Sequence, residues 1–267
     1  MKKYKILNSG LLLTVIILFL LAPLFRLDAA SSKQMFYEIK IYRLKDPDKG
    51  AVIDKYLKDA FIPAMHRAGI STVGVFKPVE ADTAFGKMVY VFIPYKNLNQ
   101  YQKVITVLEK DPVYQQAGKD FLDAPYNDPP VTRYESVFMK AFAYMPQFRI
   151  HSYTTPPGEK IYELRSYESA TEVKALKKIH MFNEGGEMAI FEKIGSNAVF
   201  YGQVLFGSRK PRLMYMTTYA DMKSREEHWA TFRTHPDWLT LREKEEYLNT
   251  TSKTSAFLLH PADYSDF

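Results

Sequence analysis

The sequence has no cysteine among its 267 residues. Disulfide bonds, thiolate nucleophiles, Cys-ligated zinc and lipid attachment through a lipobox cysteine are therefore excluded. The common catalytic signatures are missing too, since there is no G-x-S-x-G elbow, no G-x-x-x-x-G-K-[ST] loop, no G-x-G-x-x-G turn and no H-E-x-x-H pair. From these absences we predict no cofactor and assign no catalytic residue.

An excess of charge of one sign is missing as well. The formal net charge is +6, and half of it lies in the first 30 residues, where Lys2, Lys3, Lys5 and Arg26 stand against Asp28. In the remainder, basic and acidic residues alternate and form no basic stripe. A nucleic-acid surface needs such a stripe, so the sequence predicts no nucleic-acid partner.

What the sequence does have is apolar and aromatic material. Hydrophobic residues make up 46% and charged residues 25% of the chain, which is typical of a globular protein and not of a disordered one. There are 19 tyrosines and 18 phenylalanines. Many of these rings are expected at a surface, interface or cavity, with a polar tip exposed.

The N-terminus has the order of a secretory signal. Basic residues at Lys2–Lys5 precede an apolar run from Leu11 to Phe25, and small residues follow at Ala29–Ser32. The apolar run is shorter than the ~20 residues that a spanning helix needs. We predict that residues 1–30 are a cleaved signal peptide of a periplasmic or secreted protein. The alternative is that the segment is not cleaved and anchors the protein in the membrane, which would then be the protein's only predicted contact with a membrane. N-terminal sequencing of the mature protein distinguishes the two.

The rest of the chain contains an internal repeat. The segment FYEIKIY at 36–42 matches IYELRSY at 161–167, at an offset of 125 residues. Four further pairs keep nearly the same spacing: Gly69 and Gly195, Val73 and Val199, Tyr90 and Tyr215, Pro112 and Pro236. Such a regular offset predicts two copies of one structural unit.

The repeat predicts the domain boundaries. We expect a first, diverged domain at 35–146, a linker at 147–159 and a second domain at 160–262. The linker contains TTPPG at 154–158, which can neither continue a helix nor pair within a central strand.

Periodicity and turn residues predict the elements of the second copy. We expect strands at 161–167, 199–206, 213–219 and 254–259, and a helix at 171–194 that is broken near Gly185 and Gly186. Ser224 and Glu227 have capping-box spacing for a second helix, and Pro236 opens a third. This order predicts an α+β fold of two tandem ferredoxin-like domains, which form a dimeric-type α/β barrel within one chain.

Alternation along the first strand of each copy separates two faces. One face carries Tyr37, Ile39 and Ile41 in copy one, and Tyr162, Leu164 and Ser166 in copy two, a largely apolar set expected to pack under the helices. The other face repeats the order acid, base, tyrosine: Glu38, Lys40, Tyr42 and Glu163, Arg165, Tyr167. We predict that this second set lies inside the barrel or at its mouth, as a binding face. The alternative is a cross-strand ion pair at the rim, worth ~0.2 to 1 kcal/mol.

Other candidates have simpler interpretations. Trp229, Phe232 and Trp238 have helical spacing and are expected to anchor a core or interface, with the two tryptophans included in the predicted binding face. Arg225 and Arg242 flank these aromatic residues in the sequence, and we expect their side chains to be solvated. A metal could be held by His180 with Glu184, or by His228 with His235, but no third ligand has a recognisable spacing, so we predict no metal site.

These residues resemble a known family. The segment YELRSY at 162–167, followed by Arg225, His228-Trp229, Phe232, Pro236 and Trp238, resembles the NIPSNAP domain over residues 160–260. Copy one has Lys40 in place of the arginine and Tyr114 in place of the second tryptophan. The resemblance implies a dimeric α/β-barrel fold. It implies little chemistry, because the family is broadly of unknown function, although related barrels include cofactor-free monooxygenases.

The leading hypothesis is therefore an exported, non-catalytic module that binds a small apolar or aromatic molecule, or a protein partner. The first alternative is a cofactor-independent monooxygenase or isomerase, with Glu163 as base and with Arg165 and Tyr167 stabilising an enolate. The second is a structural dimerisation module with a filled barrel. A homo-oligomer is compatible with all three.

Overall fold

We describe the protein from a computed structural model, which covers residues 33–267. The predicted signal peptide at 1–30 lies outside the described residues. Residues Lys33–Phe267 form one structural unit. Within that unit, no helix combines the length and the apolar character needed to cross a bilayer.

Eight antiparallel strands close into a barrel in the order β1-β3-β2-β8-β5-β7-β6-β4. The strands are β1 (Phe36–Leu44), β2 (Gly74–Pro78), β3 (Met88–Tyr95), β4 (Val131–Ala141), β5 (Ile161–Glu168), β6 (Asn197–Phe206), β7 (Arg212–Tyr219) and β8 (Lys253–Pro261). The strands of the first half of the chain, β1 to β4, meet those of the second half, β5 to β8, edge to edge, through β2 with β8 and β4 with β6. Closure leaves no strand edge unpaired.

Helices cover the outside of the barrel. They are α1 (Gly50–Lys55), α2 (Ile62–Arg67), α3 (Leu98–Lys110), α4 (Pro112–Ala117), α5 (Lys119–Leu122), α6 (Glu172–Phe182), α7 (Glu187–Lys193), α8 (Met222–Thr234) and α9 (Pro236–Arg242). A π-helical turn at Tyr56–Phe61 joins α1 to α2, and short 3₁₀ turns lie at Pro47–Lys49 and Glu245–Tyr247. Each copy thus has the order strand, helix, two strands, helices, strand.

The barrel interior is filled by apolar side chains, which we call the barrel core. Strands of both copies contribute to it, and the rings of Phe92 and Phe200 stack across it with centroids 5.0 Å apart. Tyr37 lies 5.3 Å from each of these rings. The rings of Phe148 and Phe267 pack edge-on against Phe92. The prediction that the barrel interior is a binding face was therefore wrong.

The predicted elements of the second copy are present. Each strand boundary lies within two residues of its predicted position, and the long helix is interrupted between Phe182 and Glu187. The predicted cap of α8 was wrong, because Asp221 and not Ser224 caps it, accepting a hydrogen bond from the Ser224 backbone N–H at 2.7 Å. A mixed α/β fold with a closed barrel is confirmed.

Two phenylalanines of β6 test whether the barrel core is packed. Phe200 is fully buried in it, whereas Phe206 is 66% exposed on the same strand. We expect Phe200→Ala to lower the free energy of unfolding by about 3–5 kcal/mol and Phe206→Ala by less than about 1 kcal/mol. Denaturant unfolding measures both, and equal small losses would contradict a packed interior.

Candidate functional site

The acid, base and tyrosine residues of β1 and β5 lie outside the barrel, under the helices. Glu163 contacts α8, whereas its strand neighbours Tyr162 and Leu164 belong to the barrel core. The same holds for Glu38 against Tyr37. The predicted assignment of the two faces was therefore inverted.

The inversion has a physical reason. Alternation along a strand separates two sets of side chains, but it does not say which set faces the barrel when both faces are covered. A closed eight-stranded barrel has an interior that side chains just fill and that water does not reach, so it takes the apolar set. Buried charges need partners, and the helices over the outer face provide them.

Glu163 is the best-connected polar side chain of this outer face, and it is fully buried. Its Oε1 accepts hydrogen bonds from Arg165 Nη1 at 2.6 Å and Arg225 Nη2 at 3.2 Å. Its Oε2 accepts from Arg225 Nε at 2.8 Å and Trp229 Nε1 at 2.7 Å. The carboxylate therefore joins β5 to two side chains on successive turns of α8.

These donors decide the charge state of Glu163. Burial would raise the pKa of its carboxyl, but the hydrogen bond from Arg225 and the charges of Arg165 and Arg225 outweigh burial, so the pKa lies below 4.5. A carboxylate held in this way is a poor proton acceptor.

Arg165 is positioned by aromatic rings as well as by Glu163. Its guanidinium lies 4.5 Å from the centroid of Trp229 and 5.5 Å from that of Tyr167. Arg165 Nε donates to the Tyr167 hydroxyl at 3.2 Å, and that hydroxyl is 2.9 Å from the hydroxyl of Tyr215. Planar guanidinium groups stack on aromatic faces in this manner, so the strand motif is a rigid unit.

A cavity of about 340 Å³ opens between this part of β5 and helices α6 to α9. We call it the site cavity. Its volume lies in the range of ~300–1,000 Å³ found for small-molecule pockets. The residues that line it are Arg165, Tyr167, Lys178, Glu187, Arg225, Trp229, Phe232, Arg233, Trp238 and Arg242. The predicted residues Arg165, Tyr167, Trp229 and Trp238 thus meet at one place, with Glu163 directly behind them.

The site cavity is strongly basic. Its five arginine and lysine side chains stand against Glu187 and the adjacent Glu163, which leaves three formal positive charges. Glu163 pairs with both Arg165 and Arg225, so one positive charge of these three groups remains, and Lys178 is paired with Glu187. Among residues 33–267, Arg233 and Arg242 have no acidic side chain within 4 Å.

A second ion pair lines the same cavity. Lys178 Nζ lies 2.7 Å from Glu187 Oε2, and both side chains are buried. The ammonium also lies 4.9 Å from the ring centroid of Phe182 and 5.7 Å from that of Trp238. Burial raises the pKa of Glu187 above its ordinary value, although the charge of Lys178 opposes this. The site therefore holds two carboxyl groups with opposite shifts.

Local sequence signals position these helices. Gly186 has a φ of +92°, a conformation that glycine adopts without strain, and it ends the break between α6 and α7 so that Glu187 begins α7 beside Lys178. His235 caps α9 by accepting from the Asp237 backbone N–H at 3.2 Å, with Pro236 at the first helical position. These signals place Trp238 against Phe232, with centroids 4.5 Å apart.

The first copy has a related but different arrangement. Glu38 is buried and accepts hydrogen bonds from the Tyr95 hydroxyl at 2.9 Å and Ser136 Oγ at 2.6 Å, with Lys40 Nζ at 3.3 Å. Tyr42 packs beside these groups in the apolar cluster under the helices. A cavity of about 290 Å³ lies here, lined by Glu38, Lys40, Phe61, Met65, Tyr95, Tyr101, Val104, Ile105, Leu108, Tyr134 and Ser136. Its one basic lining residue is Lys40, so the two copies are not equivalent.

The histidines considered as metal ligands have other partners. His180 Nδ1 lies 2.8 Å from the Tyr247 hydroxyl, and His228 Nδ1 lies 2.6 Å from the Ser224 carbonyl oxygen. His235 caps α9. In the part of the chain that the structure describes, no group of three or more His, Asp or Glu side chains is close enough to hold a metal ion.

Sequence reasoning missed Lys178, Glu187 and Arg233. Lys178 carried a usable signal, because it lies on the buried stripe of α6 together with Ala175 and Phe182, where a lysine requires a partner. Glu187 and Arg233 carried no comparable signal. Their roles follow from how the helices pack against one another.

Glu163 is expected to dominate the stability of this site. Glu163→Gln removes the charge partner of Arg165 and Arg225, and we expect it to lower the free energy of unfolding by roughly 3 kcal/mol at neutral pH. The matched control is Glu192→Gln, which breaks an exposed ion pair with Arg149 and should cost less than about 1 kcal/mol. Urea unfolding measures both variants.

The destabilisation caused by Glu163→Gln should also depend on pH. Since the pKa of Glu163 is lower in the folded protein, its stabilisation is present above pH 4.5 and is lost as the pH falls through the folded-state pKa. The difference between wild type and Glu163→Gln should therefore narrow in acid. A difference that widens below pH 4.5 would contradict the proposed hydrogen bonds.

Comparison with solved structures places this geometry on a known fold. Two structures bear the name "putative monooxygenase". The one from Lactobacillus acidophilus NCFM is 12% identical, with a TM-score of 0.53 over 86% of this chain and 94% of that chain. The one from Fusobacterium nucleatum subsp. nucleatum ATCC 25586 is 10% identical, with a TM-score of 0.54 over 86% and 93%.

A third structure, of an anthrone oxidase-like protein, is 9% identical, with a TM-score of 0.50 over 87% of this chain and 93% of that chain. At these identities the likeness concerns the fold alone. No curated protein matches the chain. The NIPSNAP family model matches residues 162–266, which carry the whole of the site cavity. Residues 162–266 of this chain therefore match the NIPSNAP domain.

Proposed function

We propose that the protein binds a small aromatic organic anion in the site cavity. One observation carries this proposal. Arg233 and Arg242, which have no acidic partner among residues 33–267, line the same cavity as both tryptophans of the chain. A carboxylate would meet the arginines while its ring meets the indoles.

The charges favour an anion. Glu163 and Glu187 offset two of the three positive charges at the back of the cavity, and the exposed Arg233 and Arg242 at its mouth add two more. Arginine binds carboxylates through two parallel hydrogen bonds. Beside the low-dielectric aromatic walls, this attraction is stronger than it would be in water.

The walls favour an aromatic group. Trp229 is buried and Trp238 half-buried, and Phe232 packs between them with centroids 5.6 Å and 4.5 Å away. Flat rings prefer to pack against such faces at offset or edge-on angles. A ring with a carboxylate arm matches both halves of the cavity.

The alternative of a cofactor-independent oxygenase keeps some support from the names of the two fold relatives. Its predicted base does not fit, because both oxygens of Glu163 are occupied by cationic or indole donors. An oxygen electrode separates the two functions. An oxygenase would consume dioxygen when its anionic substrate is added, and a binding module would not.

Two further inferences concern the origin of the fold and the location of the protein. We infer that the chain is a duplication of ferredoxin-like units, since each copy has its own strand order, β4-β1-β3-β2 and β8-β5-β7-β6. We also infer export from the sequence of residues 1–30, so that the site cavity would act outside the cytoplasm.

Tryptophan fluorescence tests the proposed function with unusual selectivity. Trp229 and Trp238 are the only tryptophans of the chain, and both line the site cavity. We expect phenylacetate to change their emission in a saturable way, and its neutral isostere phenylacetamide to change it much less. Equal titrations by the two compounds, or no saturation by phenylacetate, would contradict an anion site.

Charge-matched variants locate the anion. The double variant Arg233→Gln/Arg242→Gln should raise the Kd for phenylacetate by about tenfold or more, because it removes the charge-assisted hydrogen bonds from the guanidinium groups to the carboxylate. The control Arg133→Gln/Arg149→Gln removes the same charge from exposed residues that do not line the cavity, and should leave the Kd unchanged.

A further inference from the structure

The two carboxyl groups of the site cavity have different freedom to react. Glu163 accepts four hydrogen bonds, from Arg165, Arg225 and Trp229. Glu187 accepts one, at Oε2 from Lys178. Among the described residues, Glu187 Oε1 has no hydrogen-bond donor, and this side chain lines the cavity. One carboxylate is thus structural and the other has an oxygen available to a bound molecule.

Burying Glu187 together with Lys178 costs free energy of folding, which suggests that the pair is retained for a function. Lys178 and Glu187 are 5% and 1% exposed, and removing an ion pair from water to this extent costs several kcal/mol per ion. The Lys178 ammonium is further surrounded by the rings of Tyr167, Phe182 and Trp238. Apolar residues would pack the same space as well.

We propose that Glu187 is a proton acceptor for a carbon acid bound in the site cavity, and that the substrate class is the aryl-substituted α-keto acids. This inference rests on the proposed function, since the aromatic ring and the carboxylate of such a molecule are the two groups that the cavity is proposed to bind. Lys178 is a positioning residue that holds Glu187 through Oε2 and leaves Oε1 directed to the ligand.

The step conserves atoms and electrons without an oxidant. The C–H bond next to the ketone breaks, its proton passes to Glu187 Oε1, and its electron pair moves to the carbonyl oxygen, giving an enolate. The arginines of the cavity stabilise that negative charge. Glu187 then either exchanges this proton with solvent and protonates the same carbon, which gives hydrogen exchange, or delivers the proton to the oxygen, which gives keto–enol isomerisation.

The electrostatics agree with this division of roles. Burial raises the pKa of Glu187, which makes its carboxylate a stronger base than an exposed one, while the pKa of Glu163 is lowered. Two titratable groups of one site whose pKa values are pushed apart are typical of acid–base chemistry. Arg165 lies near enough for its charge to act on both.

Hydrogen exchange in phenylpyruvate tests the proposal. The protein in D₂O is mixed with phenylpyruvate, and NMR follows both the loss of the proton signal at its benzylic carbon and saturation transfer from protein to ligand. We expect wild type to bind phenylpyruvate and to accelerate exchange over buffer. Glu187→Gln should still bind but lose about 100-fold or more of the acceleration.

Glu184→Gln is the matched control, because Glu184 is exposed in the turn between α6 and α7 and does not line the cavity. It should exchange at the wild-type rate. If near-UV circular dichroism shows that Glu187→Gln does not fold, Glu187→Asp takes its place, with the carboxylate drawn back and exchange slower than wild type.

The outcomes separate the two proposals. Binding without accelerated exchange in wild type would overturn the role of Glu187 and leave the anion site intact. A folded Glu187→Gln or Glu187→Asp variant that exchanges as fast as wild type would overturn it as well. Absence of saturation transfer to phenylpyruvate in wild type would overturn both the proton acceptor and the proposed function for this class of anion.

Discussion

The carboxylate of Glu163 joins the barrel of this protein to the helices that cover it. It lies on β5 with its side chain outside the barrel, and it accepts hydrogen bonds from Arg225 and Trp229 of α8 as well as from its strand neighbour Arg165. Burying that charge is tolerable only because all of these donors converge on it. The position of α8, and with it one wall of the site cavity, follows from this one group.

The location of the site follows from the barrel core. Rings from both copies fill the interior, with Phe148 and Phe267 packed against them, so chemistry is confined to the layer between sheet and helices. Both halves of the barrel have a cavity in that layer, but the two cavities differ. The first is largely apolar with Lys40 as its basic group, whereas the second combines five basic side chains with two tryptophans.

Much of this architecture could be predicted from the sequence. The matching segments at 36–42 and 161–167 predicted the strands β1 and β5, and the break between α6 and α7 followed from Gly185 and Gly186. Which strand face lies inside could not be predicted, because both faces are buried and alternation is symmetrical. Glu187 could not be found for a related reason, since its importance depends on Lys178, nine residues away on another helix. Local patterns report on strands and helix breaks, whereas a site between helices depends on tertiary packing.

The most direct test of the account is a crystal structure of the protein soaked with phenylacetate. We expect electron density in the site cavity, with the carboxylate within hydrogen-bonding distance of Arg233 or Arg242 and the ring against Trp229 or Trp238. Density for the ligand inside the barrel core, or only in the cavity of the first copy beside Lys40, would contradict it.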